Sequence, residues 1–275
     1  ARLQTQRPNE TREALVARGG GRIAMGFGGN PKDGTAVRGG PVFEVLFNVD
    51  RYLRKLGVRD EFELSFFAPM ENPGVRMGEQ AASSVKAQLE RLGIRQHVGR
   101  KIAGFDDNGV IFEGDQRLNA DLTMFVPAGD GHPVLRDAGL PLNAAGFVEI
   151  DEPCRVPGLP GTWAIGDSAA LKGPEWRAKQ GHVTVAMAKV AVQGIVDELQ
   201  GREPTADYLG HVDIVCLMDT GDGAVLVHRN QRHAWVIPLP VIGHWMKVAW
   251  GWLYKLTHRK WLPRLAAPRL ARAKP

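Results

Sequence analysis

The chain has 275 residues, 44% of them hydrophobic, with 33 glycines and 18 prolines. That is enough for one or two domains with a sizeable core and no low-complexity tract. Its two cysteines, Cys154 and Cys216, are too few for a disulfide framework and suit a reducing compartment. No leader is visible at Ala1, and no run of 18 apolar residues offers a membrane-spanning helix. The net charge of +5 hides an asymmetry. After Asp222 there is no acid, but there are ten basic residues, which leaves the remainder with 25 Lys/Arg against 30 Asp/Glu. A basic tail of this kind meets anionic lipid, nucleic acid or an acidic partner.

In chain order, residues 1–19 are polar and read as a linker or a poorly fixed helix. A strand is expected over Arg22–Phe27, followed by a glycine-rich loop through Gly34. Apolar residues at Phe43, Leu46, Phe47, Val49, Leu53 and Leu56 predict a helix. A second strand over Phe62–Phe67 and a second helix over Glu79–Leu92 complete a βαβα pattern, which implies a parallel sheet. Short strands are expected at Val98–Phe105, Gly109–Phe112 and Asp121–Val126. Gly161-Thr162-Trp163-Ala164-Ile165 reads as a buried strand ending in Gly166-Asp167 and running straight into a helix. There the Asp167 carboxylate acts either as an N-cap or as an acceptor for hydroxyl groups, beside free N–H donors. An amphipathic helix over Gln180–Leu199 and a hairpin across Thr220-Gly221-Asp222-Gly223 follow.

From Trp235 to Trp261 there are five tryptophans and no acid. Ile242, Trp245, Met246, Ala249, Trp252, Leu253 and Leu256 recur at helical spacing, with Lys247, Lys255, Arg259 and Lys260 around them. This stripe suits a helix lying in a lipid headgroup region, or else one docked on the core or on a partner protein. The basic residues form no groove-reading motif, so nucleic acid is not expected as a partner.

Four segments in order carry a resemblance. Trp163-Ala164-Ile165-Gly166-Asp167 resembles the second flavin motif of the two-dinucleotide-binding-domain flavoproteins. Arg38-Gly39-Gly40-Pro41-Val42-Phe43-Glu44, Ala178-Lys179-Gln180-Gly181 and Cys216-Leu217-Met218-Asp219-Thr220-Gly221-Asp222 resemble segments of the sulfide:quinone oxidoreductases. The chain resembles the C-terminal two-thirds of such a flavoprotein, without the Gly-x-Gly-x-x-Gly turn that holds ADP.

The resemblance implies an α/β fold: a Rossmann-like parallel sheet, the remainder of an FAD-binding domain and a C-terminal amphipathic helical tail. It divides the chain into a linker or remnant (1–20), an inserted NAD-type domain (21–127), the C-terminal part of an FAD domain (128–210), a β-hairpin region (211–237) and a basic membrane-associating tail (238–275). It also implies FAD held by Gly40, Pro41, Gly166, Asp167, Lys179 and Gln180. Lys179 and Cys216 would be catalytic, with Lys179 at the anionic reduced flavin, and no metal would be needed. Electrons would pass to a quinone, with the protein attached monotopically to the cytoplasmic face of a membrane. A homo-oligomer is left open.

One of the family's two redox cysteines falls at Arg38, so sulfide is not expected as donor, because the lone Cys216 thiol cannot close an intramolecular disulfide. Cys154 matches no redox position and reads as a packed residue. NAD(P) binding is left open, since Gly26-Phe27-Gly28-Gly29-Asn30-Pro31 has proline where a third glycine belongs, and Glu71 is either the ribose-binding acid or a solvated turn residue. His182 is either a proton relay to quinone or polar surface. The alternative functions are a type II NADH:quinone oxidoreductase and a non-catalytic membrane-attached scaffold.

Overall fold

The computed structural model describes residues 11–258. Residues 11–18 are helical, and Leu15 anchors them in the core. Strand β1 (Gly21–Phe27) leads to helix α1 (Gly39–Lys55), β2 (Phe62–Ala68) and α2 (Glu79–Arg91). Then come β3 (Arg95–Val98), β4 (Ile102–Asp106), β5 (Gly109–Phe112), β6 (Arg117–Asn119), β7 (Leu122–Val126) and the short α3 (Pro133–Arg136). Strands β8 (Val148–Glu149) and β9 (Ala169–Ala170) precede α4 (Gly181–Leu199), β10 (Ile214–Asp219), β11 (Gly223–Arg229), β12 (Ala234–Pro240) and α5 (Ile242–His258).

The expected α/β fold is present. Strands β3-β2-β1-β7 form a parallel sheet in that order, with Gly21 opposite Phe62 and Ile23 opposite Leu122. Both faces of this sheet are covered, which explains the nearly unbroken apolar runs of its central strands. Ile23, Met25 and Phe27 alternate with Leu64 and Phe66 toward one core, which also takes Val42, Phe43, Leu46, Phe47 and Leu53 of α1. Ala24 and Phe67 face the other way, onto Val110, Phe112 and Leu118 of the antiparallel β4-β5-β6 sheet. A third core forms where Val183, Met187, Val190 and Ala191 of α4 meet Leu171, Tyr208 and Val212.

Several expected elements are redrawn. Helix α1 starts at Gly39, four residues before Phe43, because a proline in the first turn gives up an N–H that has no intrahelical partner anyway. The expected strand Val98–Phe105 splits into β3 and β4, which join different sheets, around Gly99 at φ +70°. Residues 161–165 form no strand beyond a single bridge between Trp163 and Arg155. Asp167 sits in a 3-10 turn (Gly166–Ser168), and α4 begins only at Gly181. Trp163 is spent on packing: a Cβ on Gly194 of α4 would lie 2.3 Å from its ring. Strand β12 was not expected, because Pro238 and Pro240 oppose it; an edge strand tolerates prolines that cannot donate.

Asp50 of α1 is 1% exposed, and its oxygens accept from Arg54 Nε at 2.7 Å and Arg59 Nε at 2.6 Å. Asp50→Asn breaks a buried pair and should cost about 3 kcal/mol. Glu63→Gln removes only the surface pair with Arg95 and should cost at most about 0.5 kcal/mol. Urea unfolding of the two variants should separate them by well over a kilocalorie; equal midpoints would remove Asp50 from the account of stability.

Candidate functional site

The site is built where the N-terminus of α1 meets the turn at Gly166. The loop leaving β1 is drawn tight first. Gly28 N–H donates to Val126 O at 2.9 Å, and Asn30 Nδ2 donates to Gly129 O and Asp130 Oδ1, both at 2.9 Å. Asp33 then caps a short 3-10 turn (Gly34–Ala36), accepting from Thr35 N at 2.8 Å and from Asn143 Nδ2 at 2.9 Å. Burial works against ionisation of Asp33, but the Thr35 and Asn143 hydrogen bonds and the Lys179 charge outweigh it and hold its carboxyl below the usual range.

Arg38 stands at the mouth of α1 and donates to Asp167 Oδ2 at 2.6 Å. Its side chain does not cap the helix, so the N–H groups of the first turn keep their capacity to donate. Gly40 has nothing within 4 Å of where a Cβ would sit, and Pro41 is exposed. Across from them, the Asp167 side chain is 69% exposed. Gly166 holds φ +63°, and a Cβ there would press to 2.9 Å of Thr184 Cγ2. Only glycine combines that backbone with that contact. An open carboxylate thus faces an uncapped helix N-terminus, a pairing that suits a ligand with hydroxyls and an electron-rich edge.

Lys179 is 4% exposed. Its Nζ donates to Asp167 O at 3.1 Å and to Ala169 O, and lies 3.7 Å from the Phe147 ring centroid. Its ammonium is therefore turned inward, against the carbonyls that shape the turn, rather than toward the surface. Burial pushes its pKa down to about 8, against the pull of Asp33 and Asp167. Gln180 is the N-cap of α4, and its Nε2 reaches Asp213 O at 3.4 Å. His182 Nε2 lies 3.0 Å from the same carbonyl.

Cys216 lies on the edge strand β10, packed against the core beneath α1. Burial, and next the Glu44 carboxylate, push its thiol up, while Lys247 opposes them. Glu44 Oε1 accepts from Lys247 Nζ at 2.7 Å and from Asp219 N at 3.2 Å. Cys154 is fully buried, and its thiol is pushed up to about 12, mainly by burial. Glu71 is exposed at the end of β2.

Gly40, Pro41, Gly166, Asp167 and Lys179 are thus brought together, while Gln180 and His182 lean on Asp213. The sequence reading missed three participants: Phe147 under the ammonium, the Arg38–Asp167 pair, and the tail contacts. Of the two readings of the tail, a helix in the headgroup region would leave Lys247 to lipid phosphate and a docked helix would turn it inward; it points inward, to Glu44 and to Leu217 O. His244 joins it, with Nδ1 2.9 Å from Asp219 Oδ2 and its ring against Arg51. Helix α5 therefore docks through Gly243, His244 and Lys247, and its apolar residues face out: Trp245, Trp250 and Trp252 are 66%, 69% and 67% exposed. The basic positions from Arg259 onward lie outside the described residues. No described helix is long and apolar enough to cross a membrane.

Comparison with known proteins adds a family. The model described as pyridine nucleotide-disulphide oxidoreductase matches residues 8–193. A type II NADH:quinone oxidoreductase of Mycobacterium tuberculosis is 28% identical over 139 residues, 48% of this chain and 28% of that protein. A mitochondrial sulfide:quinone oxidoreductase of Dictyostelium discoideum is 26% identical over 129 residues, 44% of this chain and 27% of that protein. The sulfide:quinone oxidoreductase structure from Aquifex aeolicus superposes with a TM-score of 0.77 at 18% identity, covering 91% of this chain and 61% of that one. At that identity the likeness is one of fold. The aligned parts span little more than a quarter of the two curated relatives.

The buried ammonium generates a signed pH dependence. The Lys179 pKa is lowered to about 8 in the folded chain from 10.5. Below pH 8 both states hold the proton and the folded state bears the full burial penalty. Between pH 8 and 10.5 the unfolded chain binds more protons, so stability should rise with pH. The stability difference between wild type and Lys179→Met should therefore grow more favourable to wild type across that window. Parallel pH profiles in urea unfolding would show that the ammonium is not desolvated as described.

Proposed function

This chain belongs to the pyridine nucleotide-disulphide oxidoreductase family, and from that premise we propose that it is an FAD-dependent oxidoreductase. In this reading it passes electrons from a donor other than sulfide to a membrane quinone. The observation that carries the proposal is the exposed Asp167 carboxylate on its Gly166 turn, opposite the uncapped first turn of α1. The residues fit a flavin. Gly40 leaves open space, Asp167 is an acceptor for chain hydroxyls, and the α1 N-terminus favours negative charge on a ring edge. When bound, the flavin supplies hydride and single-electron transfer.

The chain's own residues then divide the work. Arg38 takes the place of a redox thiol and fixes the Asp167 carboxylate through one oxygen. Lys179 acts as a positioning residue, holding the carbonyls of Asp167 and Ala169. Cys216 remains a lone protonated thiol, without a partner for disulfide exchange. NADH is the rival donor, supported by the M. tuberculosis relative. Against it, Gly26 has a packing reason to be glycine, since a Cβ there would lie 2.2 Å from Phe67 O. Further, eleven residues separate β1 from α1, so the turn does not aim a helix N-terminus at a pyrophosphate. The outward Trp face of α5 supports peripheral attachment to a bilayer, where indole rings favour the interface.

Four outcomes are expected. Purified protein incubated with FAD should show flavin absorption after gel filtration. Asp167→Ala should weaken FAD binding at least tenfold, because a charged hydrogen bond contributes about 1.5–3 kcal/mol; unchanged retention would defeat the site assignment. Sulfide should not reduce the bound flavin, and rapid reduction would reverse the reading of Arg38. Trp250→Glu combined with Trp252→Glu should abolish co-sedimentation with anionic vesicles while leaving the circular dichroism spectrum intact. If the unaltered protein stays in the supernatant at low salt, the membrane reading fails.

A further inference from the structure

Behind the Asp33 turn lies a cleft of about 560 Å³ that the flavin reading does not use. Its walls come from five separate stretches of chain, and four of its residues are cations: Lys32, Arg76, Arg177 and Arg229. Arg76 donates to Gly34 O and, at 3.4 Å, to Trp176 O, while its buried Nε has no partner in the protein. Arg177 donates to Leu171 O at 2.6 Å. Arg229 donates to Arg76 O at 2.9 Å and lies 5.1 Å over the Trp176 ring. Every acceptor that these three guanidinium groups have is a backbone carbonyl, and among the described residues none forms an ion pair with a carboxylate.

Two carboxylates line the same cleft. Asp33 is already engaged by Thr35 and Asn143. Glu175 is exposed at the mouth. Four cations against two acids leave the cleft short of negative charge. The surplus falls on Arg76, whose pKa is pushed down to about 10, first by burial and then by repulsion from Arg177, with a smaller push from Arg229, against the pull of Asp33. Like-charged guanidinium groups that outnumber the carboxylates beside them are costly to hold together, and an anion seated among them offsets the repulsion while offering acceptors to N–H groups that lack one.

We propose that this cleft is an oxyanion site that takes a phosphate group, whether free, on a nucleoside monophosphate or on a lipid headgroup. A phosphate monoester carries close to two negative charges at neutral pH and matches the surplus of cations. The fork geometry of arginine suits its oxygens. The cleft has room for the group that the phosphate is attached to.

The test is isothermal titration calorimetry of the 275-residue chain with inorganic phosphate and with AMP, each against sodium chloride of equal ionic strength. A third arm measures co-sedimentation with phosphatidic acid vesicles against phosphatidylcholine vesicles. Lys32→Glu, an exposed position, should weaken binding tenfold or more, and Arg177→Gln should do the same with an unchanged circular dichroism spectrum. If Arg177→Gln fails to fold, Lys32→Glu still decides. AMP binding tighter than phosphate assigns a nucleotide, and equal binding assigns the free anion. Binding to phosphatidic acid over phosphatidylcholine vesicles that weakens in Lys32→Glu, with the Trp face of α5 intact in both proteins, assigns a headgroup. No saturable binding in any arm, or a Lys32→Glu protein that binds as wild type does, overturns the proposal. None of these readouts needs flavin, so failure here leaves the oxidoreductase reading standing.

Discussion

Phe43 meets Phe27 of β1 edge-on, with ring centroids 5.7 Å apart, and Phe66 of β2 at 5.0 Å. This knot presses α1 onto the parallel sheet, and both the Asp167 site and the docked tail depend on that helix. Val42, Phe43, Leu46, Phe47 and Leu53 are all fully buried. At roughly 2 kcal/mol each, their burial contributes on the order of 10 kcal/mol before chain entropy is charged against it. With the inner face so committed, the remaining positions of α1 are fixed in space. Arg38 before the first turn reaches Asp167, Glu44 on the second reaches Lys247, and Arg51 on the fourth reaches His244.

The same geometry sets the chemistry. A helix that begins in the open, with Gly40 and Pro41 at its mouth, presents partial positive charge to whatever lies opposite, and the carboxylate of Asp167 lies opposite. Lys179 supports that turn from behind, at the cost of holding a proton in a buried place. The ammonium is tolerated because two carbonyls and the Phe147 face replace its water.

Much of this was legible in the sequence, and what was not has physical causes. The interiors of α1, α2 and α4 announce themselves through apolar spacing, since one face of each is core. The first turn of α1 is hidden, because Gly39-Gly40-Pro41 carries the composition of a loop. Strand β12 is hidden by Pro238 and Pro240, which only an edge position can absorb. Gly166-Asp167 is a local motif and could be read; its bond to Arg38, 129 residues away, could not. The tail shows the limit most clearly. Its apolar stripe was readable, but the direction in which it points depends on Glu44, Asp219 and Arg51, none of which lies in the tail.

Helix α5 is mounted back to front by the standards of a water-soluble protein: glycine, histidine and lysine against the body, indole rings outward. Gly243 brings the backbones so close that a Cβ would stand 2.6 Å from that of Ala224. Its grip is therefore made of contact distance and charge, and its outer surface of oil. Added salt acts on the charged part of that grip, and detergent on the apolar outer surface. Two ordinary reagents thus act on opposite sides of one element, salt on the charges beneath the helix and detergent on the indole rings above it.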